Sequence, residues 1–223
     1  MPTPIRVVLF DIGGVLLRLR PWPEACAFAE DQAGMCRGKT KALTAIETNP
    51  DSDAAHLDYE RGNAGTATFT QKVGEIFGVH PSAVASVFCA RIEGAYAGTT
   101  ELLDRLDAAG IQTGCLSNTN ALHWALMLGV FGDQAPARIP VERLRHRVTS
   151  HTLGLRKPET GIYASAETIL GLQGPQIAFF DDNQANVEGA LARGWQAHRI
   201  DPHAAEIPAQ QITAHLTRMK VLP

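Results

Sequence analysis

Residues 5–16 read IRVVLFDIGGVL, a β-branched apolar run from Ile5 to Phe10, interrupted only by Arg6, that stops at Asp11-Ile12-Gly13-Gly14. A run so short and so apolar fits a strand buried on both faces. Three later segments repeat the form. Ile111 to Leu116 runs into Ser117-Asn118, Gln176 to Phe180 into Asp181-Asp182, and Trp195 to Ile200 into Asp201-Pro202, each with a helix-like stretch behind it. Val148 to Thr152, just ahead of Gly154, reads as a further strand. Strands alternating with helices predict an α/β fold: a Rossmann-like parallel sheet with helices on both faces.

Between Arg20 and about Tyr96 the pattern changes. No strand-like run occurs there, while helical stretches are expected at Glu24 to Ala33, Lys39 to Glu47, Thr66 to Phe77 and Ser82 to Glu93. The segment reads as a small all-helical insert, residues 20–96, placed after the first strand of a core built from residues 1–19 and 97–223. It holds seven basic and ten acidic residues against thirteen of each elsewhere, so the net charge of −3 sits wholly in the insert.

Composition narrows the partners. At 223 residues, 45% hydrophobic and 19% charged, the chain can bury a substantial core. With 20 Lys and Arg against 23 Asp and Glu it lacks the broad positive field of a nucleic-acid or anionic-membrane binder. No apolar stretch reaches the roughly 18 residues that a membrane span needs. Cys26, Cys36, Cys89 and Cys115 have no CxxC spacing and no accompanying zinc-type His pair, and the N-terminal apolar run meets Asp11 too early for a signal peptide. These features point to the cytoplasm and to a small-molecule partner.

Ligands of an open parallel sheet bind beyond the carboxyl ends of its strands. Asp11, Ser117-Asn118 and Asp181-Asp182 fall at such ends, and Lys157-Pro158 precedes a helix expected at Glu159 to Leu170. Taken singly, each has a plainer role. Ser117 or Asp181 could cap the following helix, Asp182-Asn183 could complete a turn, and Lys157 could be a solvated lysine. Taken together, three carboxylates converging at one edge repel one another unless a cation neutralises them. Asp11, Asp181 and Asp182 offer the hard oxygens that suit Mg²⁺. Lys157, the Ser117 hydroxyl and the backbone N–H groups of 117–119 suit phosphate oxygens.

These blocks, FDIGGVL at 10–16, LSNTN at 116–120, GLRKPETGIY at 154–163 and FFDDNQANVEGA at 179–190, resemble the haloacid dehalogenase superfamily of hydrolases, in order and spacing. They are most similar to its bacterial α-D-glucose-1-phosphate phosphatase branch. The resemblance implies a Mg²⁺-dependent phosphatase of small phosphorylated metabolites, monomeric or homodimeric, with residues 20–96 as its cap. Asp11 then matches the nucleophile that forms an aspartyl-phosphate, and Ser117 and Asn118 match groups at the phosphoryl. Lys157 matches the neutralising lysine and Asp182 the metal carboxylate, with Asp181 beside it as second ligand or as partner of Lys157. The metal would also take the Gly13 carbonyl, and Arg61 or Glu60, in the Tyr59-Glu60-Arg61-Gly62 turn, would touch the substrate.

One position departs from the pattern. Most phosphatases of the superfamily carry a general acid two residues after the nucleophile, where this chain has Gly13, a gap shared with the glucose-1-phosphatase branch. His56, Tyr59, Glu60 and His123 are candidates to replace it. Two other readings stay open: a 2-haloacid dehalogenase using the same Asp11, and a non-catalytic phosphate-ligand-binding or regulatory protein.

Overall fold

The structure, a computed structural model, describes residues 4–130 and 140–223. Five parallel strands form the central sheet: β1 (Val7–Phe10), β4 (Gln112–Ser117), β5 (His146–Thr149), β6 (Ile177–Asp181) and β7 (Gln196–Arg199). Their order is β5-β4-β1-β6-β7, so β1 is central and the chain crosses over it between β5 and β6. Register is tight around β1, with Phe10 opposite Cys115 on one side and Phe180 on the other. That register brings Asp11, Ser117 and Asp181-Asp182 to one edge.

Period-two alternation divides the core. Val8 and Phe10 face one layer with α5 (Thr99–Ala108), α6 (Ala121–Met127) and α10 (Pro208–Arg218). Val7 and Leu9 face the other, with α8 (Thr160–Leu170) and α9 (Gln184–Ala192). All four β1 residues are fully buried, which explains why the opening run lacks the alternation of a half-exposed strand.

Elsewhere the structure shifts what the sequence predicted. The strand expected at Val148 to Thr152 is instead His146–Thr149, and Ser150–Leu153 turns into a short helix, α7. Helices α1 (Trp22–Gln32), α3 (Thr66–Phe77) and α4 (Pro81–Arg91) match predicted stretches, whereas Lys39 to Glu47 yields only a 3₁₀ turn at Lys41–Ala45. An unpredicted helix, α2 (Pro50–Glu60), begins at an Asn49 cap whose side chain accepts from the Asp51 and Ser52 N–H groups. The predicted helix end at Glu93 is also corrected. Ile92–Ala95 is strand β3, paired antiparallel with β2 (Leu17–Leu19), so a two-stranded ribbon carries the chain into and out of the inserted helices. Gly94 and the alternation of buried Ile92 with exposed Glu93 are strand features hidden in a helical context.

The inserted helices share one apolar layer with the sheet. Phe69 stacks on Tyr59 and meets Phe88 edge-on, with ring centroids 4.3 and 4.8 Å apart. The Tyr59 hydroxyl lies 2.8 Å from Thr66 Oγ1 and accepts from the Leu122 N–H of α6 at 3.0 Å. No single helix among the described residues is long and apolar enough to cross a membrane.

Candidate active site

Lys157 is the hub of the strand-end edge. Its ammonium donates to Asp181 Oδ2 at 2.7 Å and to the Leu116 carbonyl at 2.7 Å, and lies 2.8 Å from Asp11 Oδ1. At 2% exposure it is no solvated surface lysine. Burial works against its charge, but the Asp11 and Asp181 carboxylates outweigh burial and raise its pKa. Its backbone is held as well. Asn118 accepts from the Lys157 N–H at 2.8 Å and donates to the Lys157 carbonyl at 3.0 Å. The Asn118 side chain, expected at the substrate, is therefore spent on positioning Lys157.

Asp181 is fully buried and fully committed. Beyond Lys157, its Oδ1 accepts from the Asn183 N–H at 2.9 Å and from Asn186 Nδ2 at 3.0 Å. Asn186 is tethered in turn by the Tyr163 hydroxyl, which donates to its carbonyl at 2.8 Å. A Cβ at Gly189 would stand 2.7 Å from that hydroxyl, so the small residue makes room for the ring. Neither Ser117 nor Asp181 caps a helix: Asn120 caps α6 and Asn183 caps α9. The Ser117 hydroxyl makes no hydrogen bond among the described residues and lines a cavity of about 340 Å³.

One carboxylate oxygen each from Asp11, Asp181 and Asp182 falls within 4.8 Å of the others. Burial first, then the neighbouring charge of Asp181, raises the pKa of Asp182. Burial lifts Asp11 to about 7 against the pull of Lys157, with Asp181 and Asp182 pushing the same way as burial. Such mutual repulsion is what a divalent cation relieves. With Asp181 saturated, the donors left for Mg²⁺ are Asp11, Asp182 and the Gly13 carbonyl, to which no backbone N–H of the described residues donates. One or two carboxylates with waters and a phosphate oxygen is the donor set that Mg²⁺ prefers, so these residues fit it. Gly14 permits the close approach. Its φ is 76°, and a Cβ there would lie 2.5 Å from Asp182 Oδ2.

Arg61 is not in the cavity wall. Its guanidinium forks onto Glu159 of the core, with Nη1 3.0 Å from Oε2, while Glu60 pairs with Arg156 at 2.6 Å. These two pairs tie the end of α2 to the segment that leads into α8. The acid–base candidates are similarly occupied. Tyr59 is buried against α6, Glu60 is paired with Arg156, and His56 lies 3.8 Å from Glu60 beside Phe69 and Phe88. His123 does line the cavity, but its Nε2 lies 2.8 Å from the Phe88 carbonyl and its Nδ1 3.3 Å from Asn120 Nδ2. Burial pushes His123 down to about 4.

The rest of the wall includes Leu19, Ile92, Tyr96, Met127 and His203. Sequence reasoning missed them because three belong to or adjoin the unpredicted ribbon and one lies on α6. His203 carried a signal: it follows Asp201-Pro202 at the end of a predicted strand.

A family model described as haloacid dehalogenase-like hydrolase matches residues 5–194. Among solved structures, a haloacid dehalogenase family enzyme of Bacteroides thetaiotaomicron, in complex with magnesium and inorganic phosphate, is 23% identical, with a TM-score of 0.71 over 91% of this chain and 96% of that one. A predicted hydrolase of the same type from Porphyromonas gingivalis is 24% identical, with a TM-score of 0.72 over 95% and 98%. L-2-haloacid dehalogenase from Xanthobacter autotrophicus, with chloropropionic acid covalently bound, is 18% identical, with a TM-score of 0.62 over 98% and 85%. At these identities the likeness is one of fold.

Proposed function

The chain belongs to the haloacid dehalogenase-like hydrolases, and we propose that within that family it is a Mg²⁺-dependent phosphatase of small phosphorylated metabolites, sugar phosphates such as α-D-glucose 1-phosphate first. The observation that carries the reading is Lys157 Nζ, 2.8 Å from Asp11 Oδ1, beside Asp182, a carboxylate with no ion-pair partner among the described residues. A dehalogenase could use Asp11 and Lys157, but displacing halide needs no divalent cation, whereas the clustered carboxylates of Asp11, Asp181 and Asp182 favour one. A 2-haloacid also brings a carboxylate of its own, and no arginine is among the described residues that line the cavity. The magnesium and phosphate in the Bacteroides thetaiotaomicron enzyme are consistent with the phosphatase reading.

In this mechanism Asp11 attacks phosphorus, the ester P–O bond breaks, and the phosphoryl group passes to the carboxylate. Lys157 neutralises charge on Asp11 and the phosphoryl oxygens, and the Ser117 hydroxyl donates to one of those oxygens. Bound Mg²⁺, held by Asp11, Asp182 and the Gly13 carbonyl, would neutralise phosphoryl charge. Since phosphoryl transfer depends chiefly on positioning and electrostatics, the Asn118 and Asp181 contacts that aim Lys157 are part of the catalyst. We further propose that residues 20–96 are the cap over a core of residues 1–19 and 97–223, excluding water and choosing the substrate. The cytoplasmic setting is supported by four cysteines that are all free.

The test is phosphate release from a panel led by α-D-glucose 1-phosphate, together with an aryl phosphate, in Mg²⁺ and in EDTA, with Asp11→Asn as control. Metal-dependent release that vanishes in the variant is expected. A folded, Mg²⁺-bound protein that releases no phosphate from any substrate would overturn the reading in favour of a non-catalytic ligand-binding protein.

A further inference from the structure

Building on the phosphatase reading, we propose that His203, which lines the same cavity as Asp11 and Gly13, supplies the proton-transfer function missing at Gly13. Five ionisable side chains line that cavity among the described residues: Asp11, Tyr96, His123, Asp182 and His203. Asp11 is the nucleophile and Asp182 a metal carboxylate. Burial raises the pKa of Tyr96, which keeps its proton. His123 has no nitrogen to offer, because the Phe88 carbonyl requires a proton on Nε2 while the Asn120 amide faces Nδ1. The His203 ring makes no hydrogen bond among the described residues.

Its loop is built to hold still. Gln211 on α10 spans both ends of residues 201–206, its Oε1 accepting from the Asp201 N–H at 3.0 Å. Its Nε2 donates to the Asp201 carbonyl at 2.8 Å and to the Glu206 carbonyl at 2.7 Å. Asp201 Oδ1 accepts from the His203 N–H at 2.9 Å, fixing the backbone from which the ring projects. At the ordinary position an acid would have to displace the Leu19 side chain. A Cβ on Gly13 would stand 2.8 Å from Leu19 Cδ1, so the ribbon occupies the space beside it.

The proton balance closes. As the ester P–O bond breaks, its electron pair stays on the departing oxygen, which takes a proton from the His203 imidazolium. The resulting neutral imidazole then removes a proton from the water that attacks the aspartyl-phosphate. The P–O bond to Asp11 breaks, Asp11 leaves as carboxylate, and the imidazolium is restored. Gln211 is a positioning residue in this scheme.

The experiment compares kcat/KM for an aryl phosphate, whose leaving group departs unprotonated, with that for an alkyl phosphate, whose leaving group needs the proton, in wild type and His203→Gln. General acid help is typically worth ~10²- to 10⁴-fold, so the aryl-to-alkyl ratio should rise about 10²-fold or more in the variant. Gln211→Leu should shift the ratio the same way by less. His203 is exposed, so thermal melting should be unchanged and the variant folded. A ratio that stays constant, whether both rates fall together or neither falls, overturns the role of His203. Failure of the phosphatase reading would appear separately, as a wild-type protein inactive on both esters.

Discussion

Asn118 closes a two-bond ring on the backbone of Lys157, 39 positions away in sequence, accepting from its N–H and donating to its carbonyl. Two motifs that are distant along the chain are thereby joined before any ligand arrives.

Asn118→Ala removes both bonds and leaves two part-buried backbone groups unpaired, a cost of about 1–3 kcal/mol. The loosened Lys157 loop should also lower kcat, since positioning of Lys157 matters most in the transition state. Asn118→Asp, which keeps only the acceptor, should fall between. Chemical denaturation and kcat on one substrate check both orders; a variant with normal stability and rate would show the ring to be incidental.

Metal binding should be visible without turnover. If Mg²⁺ binds as proposed, at 100 times its Kd it should stabilise the folded chain by about 2.7 kcal/mol. Asp182→Asn should abolish most of that gain while melting no earlier than wild type in EDTA, because burial and the adjacent Asp181 already disfavour the Asp182 charge. Thermal melts of both proteins with and without Mg²⁺ decide it, and an equal gain in the two would remove Asp182 from the site.

Gly13→Asp should cost a little stability. The new side chain meets the terminal methyl of Leu19, which is 39% exposed and can turn aside, so the loss should stay below the roughly 1–3 kcal/mol typical of overpacking a core. Adding Leu19→Ala should recover much of the loss, making the pair non-additive. A double-mutant cycle on unfolding free energies measures this directly, and additive effects would refute the contact.

Stability should fall with acid through a histidine pair outside the cavity lining. The rings of His198 and His215 lie 4.1 Å apart over Phe180. Burial first, then the charge of His215 and of Arg218, lowers His198 to about 4; burial and Arg218 also lower His215. The unfolded histidine titrates near ~6.5, so the stability contributed is complete above that pH and is lost as pH falls toward about 4. His198→Asn should shrink the drop in melting temperature between pH 7.5 and 4.5. An unchanged drop would assign the acid loss to other groups.

Much of the site was legible before folding. Asp11, Ser117, Asp181 and Asp182 stand at the ends of runs whose β-branched composition announces buried parallel strands, and the crossover rule places such ends together. The order of the four motifs carried the family. Less legible was the insert, where α2 has almost no apolar periodicity and depends on its Asn49 cap. The β2–β3 ribbon escaped notice because strands of three and four residues present too few positions for alternation to register.

Chain order and residue chemistry by themselves determined the fold class and the strand ends at which Asp11, Ser117, Asp181 and Asp182 stand. These follow from local periodicity, which every segment carries within itself. Tertiary structure alone decided that Asn118 holds Lys157 and that Arg61 pairs with Glu159, outside the cavity wall. It decided likewise that His123 is bonded at both nitrogens, and that Leu19 and His203 face the same cavity as Asp11. A polar side chain has several possible partners of equal chemistry along the chain. Which one it takes is settled only when the packing of strands and helices brings one within about 3 Å and buries the rest.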